Sequence, residues 1–235
     1  MEHTVRAYDD ELDSISAELS RMGGLAEVEV SDAIRGITRR DVPLAQAVIG
    51  RDARLDEIEA DIEKRAIRLI ALRQPVADDL RRTVAALKIS MNLERCGDLA
   101  KNIAKRALVI AESEPITPLT RSIERMGELV AGRLKDVLDA FAARDIDRAK
   151  MVWQRDEEID EHYDAIFREL LTYMMGDPRM IASCAHLLFV AKNLERIGDH
   201  ATNIAEIIYY GITGEHLPDS RPKLDSLEQR PTPAK

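Results

Sequence analysis

Aromatic side chains are scarce. Tryptophan, tyrosine and phenylalanine together make up 4% of the 235 residues, although hydrophobic residues reach 45%. The core must therefore be built from Leu, Ile, Val, Ala and Met, a palette that suits helix against helix better than sheets, which favour aromatic and β-branched residues. Glycine (11) and proline (9) are also few, and so sparse a punctuation points to long helices. The two cysteines, Cys96 and Cys184, lie far apart and form no CxxC pair; the expectation is two reduced, half-buried thiols. No segment has ~18 uninterrupted apolar residues, which excludes a membrane-spanning helix. The opening Met1-Glu2-His3-Thr4 lacks the basic-then-apolar order of a secretory signal. Both features make the cytoplasm the expected compartment. Positive charge is in deficit: 34 Lys and Arg against 43 Asp and Glu give a net charge of −9. Without a basic run, that balance excludes sequence-independent binding to DNA or RNA. Charged residues still make up 33% of the chain, as long exposed helix faces require.

The breaks that do occur divide the chain into six helical segments. They fall near residues 41, 75, 115, 145 and 177. Pro43, Pro75, Pro118 and Pro178 stand where helices can begin. Thr117-Pro118 and Asp177-Pro178 pair a capping side chain with proline at the first helical position, and Asp145 and Asp147 offer a further cap. The stretch Ser113-Glu114-Pro115-Ile116-Thr117 is the expected domain boundary. After Tyr210 the chain turns Gly-, Pro- and charge-rich and ends Arg230-Pro231-Thr232-Pro233-Ala234-Lys235, which reads as a disordered tail.

The chain repeats itself. Arg21-Met22-Gly23 recurs as Arg125-Met126-Gly127, an offset of 104 (125 − 21). Asp32 and Asp136, Arg40-Asp41 and Arg144-Asp145, Arg51-Asp52 and Arg155-Asp156, and Asp56-Glu57 and Asp160-Glu161 keep it. Further on, Asn92-Leu93-Glu94-Arg95-Cys96-Gly97-Asp98 matches Asn193-Leu194-Glu195-Arg196-Ile197-Gly198-Asp199 at an offset of 101 (195 − 94). A three-residue difference in the turn around Pro75 and Pro178 accounts for the change. The fold expected is all-α: two tandem three-helix bundles of six long antiparallel helices, related by internal duplication and a pseudo-two-fold axis. The first bundle spans 1–113, the second 117–213, and the tail 214–235. Leu93, Cys96, Ala100, Ile103, Ala107 and Ile110 step by three and four, as do Leu194, Ile197, Ala201, Ile204 and Ile208; these stripes face a core.

Glu94 and Asp98, four apart on one helix, lie on one face with ~5–6 Å between Cβ atoms, and Asn102 follows them. The second copy repeats the set as Glu195, Asp199 and Asn203. Upstream the same face reads Leu80, Val84, Leu87 and Met91, or Ile181, Cys184 and Leu188, so the acids are expected to continue a buried face. There they need a cation, a shifted pKa or water. The preceding helix of each unit adds Asp52 with Asp56 and Asp156 with Asp160. Four carboxylates and an amide per unit form a hard oxygen set suited to Mg, Ca, Mn or iron and unsuited to structural zinc. One E-x-x-x-D in so charged a chain is an ordinary solvated face; four such pairs at equivalent places in two copies are the argument for metal.

Two other readings stand beside it. A carboxylate-bridged metalloenzyme of the di-iron type needs Glu-x-x-His, and Gly97 and Gly198 occupy the histidine positions. A metal-free scaffold would leave the acidic stripes facing water. His162, His186 and His200 have no repeat partner, and Trp153 reads as packing. No Gly-x-Ser-x-Gly, Walker loop or Gly-x-Gly-x-x-Gly is present.

The twin segments 92–104 (Asn-Leu-Glu-Arg-Cys-Gly-Asp-Leu-Ala-Lys-Asn-Ile-Ala) and 193–205 (Asn-Leu-Glu-Arg-Ile-Gly-Asp-His-Ala-Thr-Asn-Ile-Ala), with the Arg-Asp-x-x-x-Asp elements at 51–56 and 155–160, resemble those of the PhoU family. The resemblance covers residues 1 to 213. It implies a non-enzymatic negative regulator of phosphate uptake and of the phosphate-starvation response. Such a regulator acts as an adaptor between a sensor histidine kinase and the cytoplasmic ATPase of the phosphate ABC transporter, and reaches the membrane only through these partners. It implies a homodimer. It also implies metal, Fe, Mn, Mg or Zn and in some members a multinuclear cluster, on Asp52, Asp56, Glu94, Asp98, Asp156, Asp160, Glu195 and Asp199, with Asn102 and Asn203 as weaker candidates. Nothing carries over to the tail.

Overall fold

The computed structural model describes residues 2–112 and 117–218. All regular structure among them is helical: α1 (Glu2–Thr38), α2 (Val42–Arg51), α3 (Ala53–Arg73), α4 (Asp78–Ile110), α5 (Thr117–Ala143), α6 (Ile146–Gln154), α7 (Glu157–Gly176), a 3-10 turn (Pro178–Met180) and α8 (Ile181–Thr213). The six expected segments are present, and the middle one of each copy is interrupted, at Asp52 between α2 and α3 and at Arg155-Asp156 between α6 and α7. The expected boundary at 113–116 and the tail from 219 onward lie outside the described residues.

The repeated Arg-Asp pairs make the first reversal of each copy. Arg40 and Arg144 take left-handed backbone, with φ of 54° and 51°. Asp41 and Asp145 then donate their N–H to the carbonyls of Gly36 and Ala140 (3.0 and 2.9 Å). Their side chains accept from the amides of Leu44 and Arg148 (both 3.0 Å), satisfying donors that the next helix leaves open. Pro43 and Pro178 sit at the starts foreseen for them. Pro75 does not: α4 begins at Asp78, after a turn in which Gln74 and Ala77 both have positive φ.

The apolar stripes of both copies merge into one continuous core, running through Leu19, Met22, Leu93, Ile103, Leu134, Leu194 and Ile204. The two copies meet with a repeated lock. A Cβ on Gly127 would lie 2.7 Å from Ile34 Cγ2, and one on Gly23 would be closer still to Leu138. Gly23 aligns with Gly127 and Ile34 with Leu138, so one residue pair is used twice in opposite senses between α1 and α5, as a pseudo-two-fold axis requires.

The acidic face is less buried than its apolar neighbours in the sequence suggest. Leu80 and Met91 are 37% and 53% exposed; in the second copy Ile181 is 49% exposed, Leu188 is half-buried and only Cys184 is enclosed as expected. The stripe that α4 buries is Ala86, Ile89, Leu93, Cys96, Ala100, Ile103 and Ala107, one turn-face away. Both cysteines, expected to be half-buried, are fully enclosed and free, and burial pushes the Cys96 thiol up to about 12.

Candidate metal centres

Each acidic set lies where the broken middle helix meets the third helix of its unit. The break turns Asp52 inward until it is 3% exposed. The amide of Leu55 donates to the Asp52 carbonyl (2.9 Å). In the second copy Asp156 holds the same place, with Ile159 donating to its carbonyl (3.1 Å). The third helix comes close because of glycine. Gly97 lies against Leu55, and a Cβ on Gly198 would meet Ile159 Cδ1 at 2.6 Å. Gly97 and Gly198 are thus the points at which the motif helix rests on the first turn of its neighbour, which brings Glu94 and Asp98 beside Asp56, and Glu195 and Asp199 beside Asp160.

The electrostatics record that proximity. Asp56 is raised by burial and then by Asp52 and Asp98. Glu94 is raised by burial, with Asp98 and Asp56 adding to it and Arg95 opposing it. Asp160 is raised by burial, Asp156 and Glu195. Burial, Glu195, Asp156 and Asp160 together push Asp199 up to about 6. Asp56 and Glu94 share a depression of about 210 Å³ with Glu59, Met91 and Arg95. Asn102 is elsewhere, in a depression with Lys105, Arg106, Val109, Phe189 and Asn193. Each four-residue step along a helix of 3.6 residues per turn drifts by about 40°, enough after two steps to carry Asn102 from Glu94 towards α8. Asn203 is half-buried.

Three partners of these acids were missed in the sequence. Lys101 donates a short hydrogen bond to Asp52 and stands 3.7 Å from Asp98; its ammonium is raised by Asp52 first. At the aligned position Thr202 donates to Asp156 (2.7 Å). Glu29 of α1 is 3% exposed and its Oε2 accepts no hydrogen bond. Burial, then Asp52, push it up to about 7. Its counterpart is Arg133, also buried, which donates to Glu158 (2.8 Å). A lone charge inside the apolar stripe of α1 and of α5 was the available signal for Glu29 and Arg133. At the rim Arg95 pairs with Glu94 (3.4 Å) and Asp98 (3.5 Å), and Lys192 donates to the largely buried Glu195 (2.6 Å).

The donor set is all oxygen, and the buried Glu29 carboxylate beside Asp52 and Asp56, whose Oε2 accepts no hydrogen bond, is the kind of group a hard cation satisfies. As the side chains stand, no three Asp, Glu, His or Cys among the described residues form a group that could hold an ion; binding requires the carboxylates to turn towards one another. The histidines take other roles. His200 shares a hydrogen bond with Asn92 (2.9 Å) and His186 with Arg106 (3.2 Å). Trp153 packs, and donates its indole N–H to Glu206 (3.1 Å).

Known proteins fit this geometry. The family model described as the PhoU domain matches twice, over residues 19–107 and 123–208. A protein of Caulobacter vibrioides named phosphate-specific transport system accessory protein PhoU homolog is 68% identical over 97% of this chain and 99% of its own. The Escherichia coli K12 protein named phosphate-specific transport system accessory protein PhoU is 41% identical over 91% and 88%. The crystal structure of PhoU from Pseudomonas aeruginosa superposes with a TM-score of 0.86 at 38% identity, covering 88% of this chain and all of that one. That of the phosphate transport system regulatory protein PhoU from Streptococcus pneumoniae gives 0.83 at 30%, over 90% and 99%. Two domain matches in one chain, in register with the internal repeat and its twin acidic sites, make this protein a member of the PhoU family.

Proposed function

We propose that this protein is a cytoplasmic negative regulator of phosphate uptake and of the phosphate-starvation response. In this reading it is a non-enzymatic adaptor between the phosphate-specific ABC transporter's ATPase and a sensor histidine kinase, and works as a homodimer. The observation that carries the reading is the near-full-length identity to proteins named accessory to phosphate-specific transport. A helical body with no helix long and apolar enough to cross a membrane among the described residues suits a partner-bound role. The test is a deletion strain with a phosphate-starvation reporter. Loss of the gene should switch the reporter on in phosphate-rich medium, and the wild-type gene should silence it; a reporter that stays silent without the gene refutes the role. Direct binding of the purified chain to the kinase's cytoplasmic part and to the ATPase, by calorimetry, tests the adaptor.

Within that role the two acidic sites are metal sites. Asp52, Asp56, Glu94 and Asp98 would hold iron, manganese, magnesium or zinc in the first unit, and Asp156, Asp160, Glu195 and Asp199 in the second. The ion would supply positive charge that clips the middle helix to the third. Elemental analysis of untagged wild type against Glu94→Ala/Glu195→Ala tests this: stoichiometric metal should fall in the double variant. Metal-free wild type after dialysis against these ions would favour the metal-free scaffold, for which the pairing of Lys101 and Arg95 with the first set already speaks.

A further inference from the structure

The chain is acidic, with a net charge of −9, yet one depression on the seam between α4 and α8 has no acid in its wall. It encloses about 500 Å³ and is lined by Asn102, Lys105, Arg106 and Val109 of α4 with Phe189 and Asn193 of α8. Phe189 is 55% exposed and Val109 43%. Arg106 is held in place twice. Its guanidinium lies 4.8 Å from the centre of the Phe189 ring, and its Nη1 shares a hydrogen bond with Nδ1 of His186 (3.2 Å). Positive charge continues along the seam: the pKa of His200, lowered first by burial, is lowered further by Arg196 and Arg95. His200 is 11 residues (200 − 189) beyond Phe189, about 16 Å along α8. The internal repeat shows the same kind of end when it is covered. At the aligned places Glu206 replaces Lys105 and Tyr210 replaces Val109. The chain's own His216 stacks on Tyr210, with ring centroids 4.5 Å apart, and Leu217 packs against the core. Asn92, the counterpart of Asn193, donates to the Lys88 carbonyl (2.8 Å) and shares a hydrogen bond with His200 (2.9 Å). The first copy has Leu99 where the second has His200, so that histidine bond has no equivalent at Asn193.

We propose that this end of the α4–α8 seam is the docking site for an acidic segment of a protein partner, whose carboxylates meet Lys105, Arg106 and the two asparagine amides while an apolar side chain rests on Phe189 and Val109. This rests on the adaptor reading above and names the surface that the adaptor uses. An exposed aromatic ring carrying an arginine, bordered by polar donors, has the composition of an interface anchor. An acidic protein repels an acidic partner over most of its surface, so a locally basic face decides where that partner lands. Arg106, already fixed by Phe189 and His186, loses little freedom on binding. The twin end carries a carboxylate, Glu206, and its Tyr210 is covered by His216, so each chain offers one such site.

The experiment is calorimetry of the purified full chain with the two partners named above, the kinase's cytoplasmic part and the ATPase, at low and at high salt, with circular dichroism to confirm folding. At least one of them should bind wild type with one partner per chain, and more weakly as salt rises. Phe189→Ala should weaken that binding by about tenfold or more, and Phe189→Leu should restore most of it. Lys105→Glu should weaken it by about tenfold and flatten the salt dependence. Lys64→Glu, the same charge change on an exposed position of α3, should leave it unchanged. If a partner binds wild type and also binds Phe189→Ala and Lys105→Glu equally well, the surface proposed here is wrong while the adaptor reading stands. If neither partner binds wild type, both are wrong. Sedimentation with phosphatidylglycerol vesicles covers the remaining source of negative charge: vesicle binding that Lys105→Glu abolishes, with partner binding intact, would assign the face to a membrane and overturn the proposal.

Discussion

Gly198 of α8 lies so close to Ile159 of α7 that a Cβ at Gly198 would come within 2.6 Å of Ile159 Cδ1. Gly97 and Leu55 make the same approach in the first unit. This contact explains why a glycine stands between the glutamate and aspartate of each motif, at the position where a di-iron protein would need histidine. Gly198→Ala is expected to cost about 1–3 kcal/mol through overpacking. Gly24→Ala, exposed in mid-helix with nothing within 4 Å of the added carbon, should instead stabilise by about 0.5–1 kcal/mol. Urea unfolding of the two variants measures both; equal shifts would refute the packing argument.

Glu29 sets a pH dependence. Burial and the neighbouring Asp52 push its carboxyl up to about 7 from 4.5, so the folded chain holds this proton more tightly than the unfolded one. The stability this contributes is fully present below about 4.5 and is lost as pH rises through about 7. In chelator, the melting temperature of wild type should fall across that window, and Glu29→Gln should flatten the fall. A melting temperature that rises with pH in wild type, or the same slope in Glu29→Gln, would count against the assignment.

Trp153 ties α6 to α8 through its indole N–H on Glu206 (3.1 Å). Trp153→Phe keeps most of the ring packing and removes the donor. The expected loss is on the order of 1–2 kcal/mol, seen as a lower urea midpoint with an unchanged slope. An unaltered midpoint would show that the hydrogen bond contributes nothing.

Both thiols are enclosed, and burial raises each of them. Since the thiolate is the reacting species, a chromogenic disulfide reagent should leave native protein untouched over minutes and titrate two thiols in denaturant. Prompt reaction of the native chain would mean that α4 or α8 opens locally.

Much of the architecture is legible in the sequence because it follows from local rules. The 104- and 101-residue offsets reveal the duplication, Asp41 and Asp145 mark the reversals, and heptad spacing marks the core of α4 and α8. The interruption at Asp52 and Asp156 was not legible: Gly50 precedes it in the first copy but no proline or glycine stands there in the second, and its effect is to turn an aspartate towards a helix distant in sequence. Nor was the exposure of Met91 and Leu80, since an apolar run does not say which of its faces a neighbour covers.

The sequence by itself determined that the chain is helical and doubled and that matched acids lie on the middle and third helices of each copy, since the periods of 3.6 and about 100 residues are properties of the chain alone. Only the tertiary structure decided what those acids meet. Lys101 is 49 residues from Asp52, and Glu29 belongs to another helix altogether. Long-range charge pairing depends on how closely helices approach, which Gly97 and Gly198 fix through contacts that no spacing along the chain encodes.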